Sequence, residues 1–208
     1  MGYGNEVVKV EDAKPLTAAE VKAHVQLIQQ VMQAVMVPKT HYDTIAGCGD
    51  KPVLLKPGAE KILTTFKIGT DLKVEDLGDG YDFRYRVTIR GFYIPTGNTV
   101  GYGVGEASTK EKKYAWRRAM CQTEFDEAPE TRRRIYWKPQ KDKKGYNIKG
   151  EAEQELQVRQ DPSDLANTVL KMAKKRAMID LCLTSTACSD IFVQDIDDED
   201  VADNVQQQ

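Results

Sequence analysis

Two histidines limit the acid–base and metal chemistry open to this chain. His41, Asp43 and Cys48 could be drawn as a metal or nucleophile set. The remaining ligands and an orienting base are missing from the surrounding sequence. His24 falls within a helical pattern and reads as a packing or surface residue. Glu124, Asp126 and Glu127 pair carboxylates in a charged stretch and read as solvated surface. The run Gly101-Tyr-Gly-Val-Gly105 lacks the Gly-Lys-Ser/Thr ending of a phosphate loop. It reads as a strand whose small residues let another backbone approach. The four cysteines (Cys48, Cys121, Cys182, Cys188) show no two-residue metal spacing and read as small buried thiols in a reducing compartment. The chain therefore reads as a protein without catalysis, cofactor or metal.

Binding chemistry is better represented. Between Lys110 and Lys149 stand thirteen Lys or Arg against six Asp or Glu, a local excess of seven positive charges. Tyr114, Trp116, Tyr136, Trp137 and Tyr146 are interleaved with them. Cations for phosphates and flat rings for bases are what a single-strand binder needs. A solvated charged loop with its rings in the core would read the same way, and Trp116 in particular reads as core. Further on, Lys171, Lys174 and Lys175 gather on one face of a helical pattern with Arg176 at its margin. Clustered cations on one face can track a phosphodiester backbone.

The elements that must hold these groups follow from periodicity. Thr17-Ala-Ala-Glu20 is a capping box, and Val21, Val25, Ile28, Met32 and Val35 mark one helix face ending before Pro38. A loop with Gly47 and Gly49 and the short apolar run Val53-Leu54-Leu55 precede a helix from Lys56 to about Phe66, with Pro57 in its first turn. Residues 81–90 alternate: Tyr81, Phe83, Tyr85, Val87 and Ile89 face inward, and Asp82, Arg84, Arg86, Thr88 and Arg90 form a largely basic outer face. Pro95 to Asn98 is a turn, and Thr99 to Ala107 returns as the partner strand. Lys110 to Met120 reads as a helix. Residues 121–160 read as a basic, irregular insert. Asp161-Pro162-Ser163 caps a helix reaching about Leu183.

The net charge of −2 is unevenly placed. From Asp190 onward there are seven acidic residues and no Lys or Arg, which leaves thirty cations against twenty-five acids in the body. Such a tail either competes for a basic site or recruits a partner, or it is an ordinary solvated and disordered end. The expected organisation is a flexible leader at 1–14, one domain at 15–189 with its insert at about 121–160, and the acidic tail at 190–208. No apolar run approaches the ~20 residues of a membrane span, and the N-terminus has no signal-peptide core.

Val100–Gly105 followed by Glu106, Lys110, Lys112 and Lys113, and then Lys175-Arg176-Ala177, resembles the DNA-binding core of the Rad fifty-two-type single-strand annealing proteins. Many phage recombinases belong to that superfamily. Val53–Phe66 resembles the short strand and helix before the family's sheet, and the resemblance covers residues 50–112 and 162–192. Ala166–Ala177 and Ser189–Asp195 look closer still to certain phage relatives. Two departures stand out: Ile179 occupies a position where the family often has Arg, and residues 114–160 intervene between the signatures. Some relatives carry a zinc-ribbon-like insert here, but only Cys121 lies in this one.

The resemblance implies an α+β fold, a strongly bent antiparallel sheet of about three to four strands packed on helices. It implies single-stranded DNA binding and annealing of complementary strands in phage homologous recombination. The expected DNA contacts are Lys174, Lys175, Arg176, Lys110, Lys112, Lys113, Arg84, Arg86, Arg90, Arg117 and Arg118. The expected partners are single-stranded DNA, identical subunits in a ring or filament, and an exonuclease or single-strand-binding protein, in the cytoplasm of a bacterial host. The alternatives are a DNA-processing enzyme or its inhibitor, or a module recruiting a host replication or recombination protein through the tail.

Overall fold

The computed structural model describes residues 17–44, 51–141 and 147–194. The expected leader, Cys48, Tyr146 and all of the tail beyond Gln194 lie outside them. The fold is α+β, with helices packed against antiparallel sheets.

The chain divides into two compact units, Met1–Val35 and Met36–Gln208. The first contributes helix α1 (Ala18–Val35). Its start is the expected capping box: Thr17 N–H donates to Glu20 Oε2 at 2.7 Å, and Thr17 Oγ1 accepts from Glu20 N–H at 3.3 Å. Reciprocal bonding of this kind satisfies donors that the first turn leaves without helical partners.

The second unit opens with β1 (Tyr42–Asp43) paired to β2 (Val53–Leu54), followed by α2 (Lys56–Thr65). Its main sheet has the order β3 (Ile68–Asp76), β4 (Arg84–Tyr93), β5 (Thr99–Ser108), all antiparallel. Helix α5 (Pro162–Thr186) lies across β4 and β5. Val87, Ile89, Val169, Ala173, Ala177 and Leu181 are buried between them. Asp161 caps α5 by accepting from Ser163 N–H at 2.9 Å.

The glycines of β5 set how closely helix and sheet approach. A Cβ at Gly103 would stand 2.2 Å from the Ala177 carbonyl oxygen, and one at Gly105 would stand 2.3 Å from the Ala177 nitrogen. The Gly101–Gly105 run is thus a seat for a helix backbone, as the sequence suggested.

Strand β4 begins at Arg84 rather than Tyr81. Residues 81–83 close a turn in which Asp79 Oδ1 accepts from Tyr81 N–H at 3.1 Å and Asp82 N–H at 2.8 Å. Asp82, expected on the outer face, is buried.

Two expectations fail beyond β5. Lys110 to Met120 is not a helix: a single turn, α3 (Lys112–Ala115), gives way to strand β6 (Trp116–Arg118). The insert is not irregular either. It holds the short helix α4 (Gln122–Glu127), β7 (Arg133–Lys141) and β8 (Asn147–Arg159), and β8 pairs with both β6 and β7 in a second three-stranded sheet. Pairing with β8 draws Trp116–Arg118 into extended backbone, where tertiary context overrides local helical preference. Of the thiols, Cys182 and Cys188 are buried as expected, but Cys121 is exposed.

Candidate nucleic-acid interface

Arg84, Arg86 and Arg90 project from the face of the main sheet opposite α5, on the alternation that buries Val87 and Ile89. Their surroundings correct the picture of a largely basic face. The register sets Glu106 beside Arg86, and Asp71 and Glu75 of β3 beside Arg90 and Arg86. Glu106 accepts from both neighbours, Arg84 Nε at 2.5 Å and Arg86 Nε at 3.1 Å. The Arg84 and Arg86 contacts hold its carboxyl below the usual carboxylate range against the cost of burial. The Arg90 guanidinium stands 5.2 Å from the centre of the Phe92 ring.

The cations at the end of β5 are also engaged. Lys110 Nζ lies 2.9 Å from Asp79 and 3.3 Å from Asp82. Its hydrogen bond to Asp79 raises the affinity of the amine for its proton. Lys113 lies 3.5 Å from Glu111 and over the Tyr114 ring, while Lys112 is exposed.

The cation cluster of α5 is split by function. Arg176 turns inward: its guanidinium binds both oxygens of Glu111 and donates to the Glu106 carbonyl. This arginine clamps helix to sheet. Lys171 is exposed, and Lys174 and Lys175 are half-buried.

The second sheet brings rings and cations together most closely. Trp116, Arg134 and Tyr136 share a face, with the Arg134 guanidinium 4.4 Å from the Trp116 ring centre and 5.3 Å from that of Tyr136. Arg134 Nε donates to Gln157 Oε1 at 2.8 Å, and Gln157 Nε2 donates to Glu155 Oε1 at 2.7 Å, so the guanidinium is anchored beside both rings. Arg118, Lys138 and Arg159 share this face, against Glu153 and Glu155. Tyr136 is 42% exposed, and Trp137, on the reverse face, is 59% exposed. Trp116 is half-buried in a strand, not packed in a helix.

On that reverse face α4 is fastened by two arginines. Arg117 forms a bidentate pair with Glu124, and Met120 N–H donates to the same carboxylate at 2.7 Å. These two contacts, the Arg117 pair foremost, hold the Glu124 carboxyl at about 2. Arg133 donates to the Asp126 carbonyl at 2.7 Å. Arg117 is therefore committed to an ion pair, whereas Arg118 is exposed.

Arg134 and Lys138 were missed in the sequence. Their signal was the alternation of Arg134, Tyr136 and Lys138 against Arg133, Ile135 and Trp137.

His41 Nδ1 accepts from Val37 N–H at 2.9 Å. Among the described residues, no group of three or more His, Cys, Asp or Glu is arranged to hold a metal ion. No described helix is long and apolar enough to cross a membrane. Compared with family models, curated proteins and solved structures, the chain matches none of them.

Proposed function

We propose that this protein binds single-stranded DNA and anneals complementary strands, in the manner of the phage recombinases that its glycine strand and Lys-Arg-Ala helix resemble. The observation that carries the reading is the Trp116–Arg134–Tyr136 stack, with a partly exposed ring and a cation fixed on one sheet face. A ring offers its face to any base, so stacking is indifferent to sequence, as annealing requires. Arg118, Lys138 and Arg159 supply phosphate contacts around it, and Lys171, Lys174 and Lys175 offer a second basic track on α5. The strand arginines Arg84, Arg86 and Arg90 form a third surface in this reading, which a phosphate reaches by displacing Glu106. Bases held on one side remain free to pair with a second strand, and no bond-breaking step is needed. Identical subunits, with an exonuclease or single-strand-binding protein as partner, would extend the path.

Both tryptophans of the chain, Trp116 and Trp137, lie in the second sheet. Their fluorescence therefore reports on that sheet alone. Titration with an oligothymidylate should quench it, and the protein should speed annealing of complementary oligonucleotides. No quenching and no annealing would sink the reading. Cleavage that depends on a divalent metal would favour a DNA-processing enzyme instead.

A further inference from the structure

The two edges of the main sheet are unlike. On β5, Val104 N–H donates to Asp180 Oδ2 at 2.8 Å, the Glu106 carbonyl accepts from Arg176 at 2.5 Å, and Ser108 N–H donates to Glu111 Oε1 at 2.9 Å. Residues 104, 106 and 108 are those whose backbone groups point away from β4. Side chains of α5 and of the following turn thus occupy the groups that an added strand would need.

Among the described residues the β3 edge is open. The Arg84 carbonyl accepts from Leu77 N–H on the β3 side, and the Phe83 carbonyl accepts from Thr109 N–H on the β5 side. Arg86, Thr88 and Arg90 therefore address Glu75, Lys73 and Asp71, their register partners. Thr70, Leu72 and Val74 direct their N–H and C=O outward, and among the described residues no other strand pairs with β3. Leu72 is 52% exposed and Val74 39% exposed. A nine-residue strand with an unpaired, partly apolar edge is a template for pairing.

Its own sequence is the complementary one. Antiparallel to itself about Leu72, the strand sets Asp71 against Lys73 of the other copy twice, Thr70 against Val74 twice, and Leu72 against Leu72. Centring on Lys73 instead sets Lys against Lys and Asp71 against Glu75. Centring on Val74 pairs Lys73 with Glu75 but sets Leu72 against Asp76 and leaves Asp71 without a charged partner in the strand. Opposite charges directly across a ladder stabilise and like charges do not, which excludes the Lys73 centre, and of the two that remain the Leu72 centre alone sets Leu72 against its own kind.

We propose that β3 is a homodimer contact: two copies add antiparallel about a two-fold axis at Leu72, making one six-stranded sheet. The inference is independent of the nucleic-acid reading. It also separates two kinds of assembly. A head-to-tail ring that adds β3 of one subunit to β5 of the next is blocked by Asp180 and Arg176, whereas an isologous pair needs only the open edge.

The test is sedimentation equilibrium on the full chain and on two single variants, Asp71→Lys and Lys73→Asp. Wild type should have twice the chain mass. Each variant alone should be monomeric, because it sets like charges across the axis. An equimolar mixture of the two should dimerise, because both cross-strand pairs are then opposite in sign. Rescue on mixing cannot come from a folding defect in either variant. The proposal is overturned if wild type is monomeric, if the assembly persists in either single variant, or if the mixture stays monomeric. A wild-type monomer that dimerises once residues 1–16 are removed would put the chain's own N-terminal segment on β3, and would overturn it equally.

Discussion

Arg176 and Glu111 meet across sixty-five residues of chain, guanidinium to carboxylate at 2.9 and 3.0 Å. Glu111 also holds Ser108 N–H, and Arg176 the Glu106 carbonyl, so α5, β5 and the turn before α3 are pinned at one ion pair. A cation that the family resemblance assigns to DNA thereby has a structural task.

Replacing Arg176 with Ala should cost about 2 kcal/mol, since it leaves a carboxylate and a strand carbonyl without their charged donor. Lys171→Ala, at an exposed position of the same helix, should cost under ~0.5 kcal/mol, as surface changes usually do. Urea midpoints of the two variants measure the difference. Equal midpoints would remove the clamp.

Gly103→Ala should destabilise by about 3 kcal/mol, because the new methyl meets helix backbone, which cannot swing aside like a side chain. Gly97, at φ +72° with open space around it, should lose only about 1 kcal/mol on the same change, from backbone conformation alone. Thermal melts of both variants test the ordering, and a reversed order would contradict the close helix–strand seat.

Acid should loosen α4 before it unfolds the sheets. The Glu124 carboxyl titrates at about 2 in the fold against an ordinary 4.5. A depressed carboxyl contributes stability that is whole above the unfolded value and is lost as pH falls through the folded one. Stability should thus decline between about 4.5 and 2, and Glu124→Gln should flatten that part of the curve. Acid titrations followed by tryptophan fluorescence would show it, and superimposable curves would refute it.

If DNA stacks on the second sheet, Tyr136→Ala should weaken single-strand binding by ~1–3 kcal/mol, the range for one stacked base. Changing Lys174 and Lys175 to Ala should lower the log–log salt slope by about 0.7 for each phosphate that these lysines neutralise. Gln in place of Arg84, Arg86 and Arg90 should slow annealing with little change in melting temperature. Oligonucleotide titrations at several salt concentrations separate the three surfaces, and whichever variant leaves both affinity and slope intact lies off the DNA path.

Elements with one apolar face were legible in the sequence. The α5 pattern, the Val87–Ile89 alternation and the Gly101–Gly105 run each follow from burial against a single neighbour. Strand β3 went unread, although Ile68, Thr70, Leu72 and Val74 alternate with charged or small residues. An edge strand with solvent on both faces carries a diluted signal. The β7 alternation was hidden by arginines, which a residue count takes for loop. The site was less legible still. Cations can be counted along a chain, but the carboxylates that engage Arg84, Lys110 and Arg176 lie 22, 31 and 65 residues away.

The glycine seat also governs the order of assembly. Gly101–Gly105 must wait for residues 173–185, which leave the ribosome after the whole second sheet. Closing so long a loop is slow unless it is shortened first. The β7–β8 hairpin is local and can form early, drawing the two ends together. Until α5 arrives, a nascent chain ending before Pro162 presents Val87 and Ile89 uncovered beside an open β3 edge, and this is the stage at which chaperone binding or aggregation would begin.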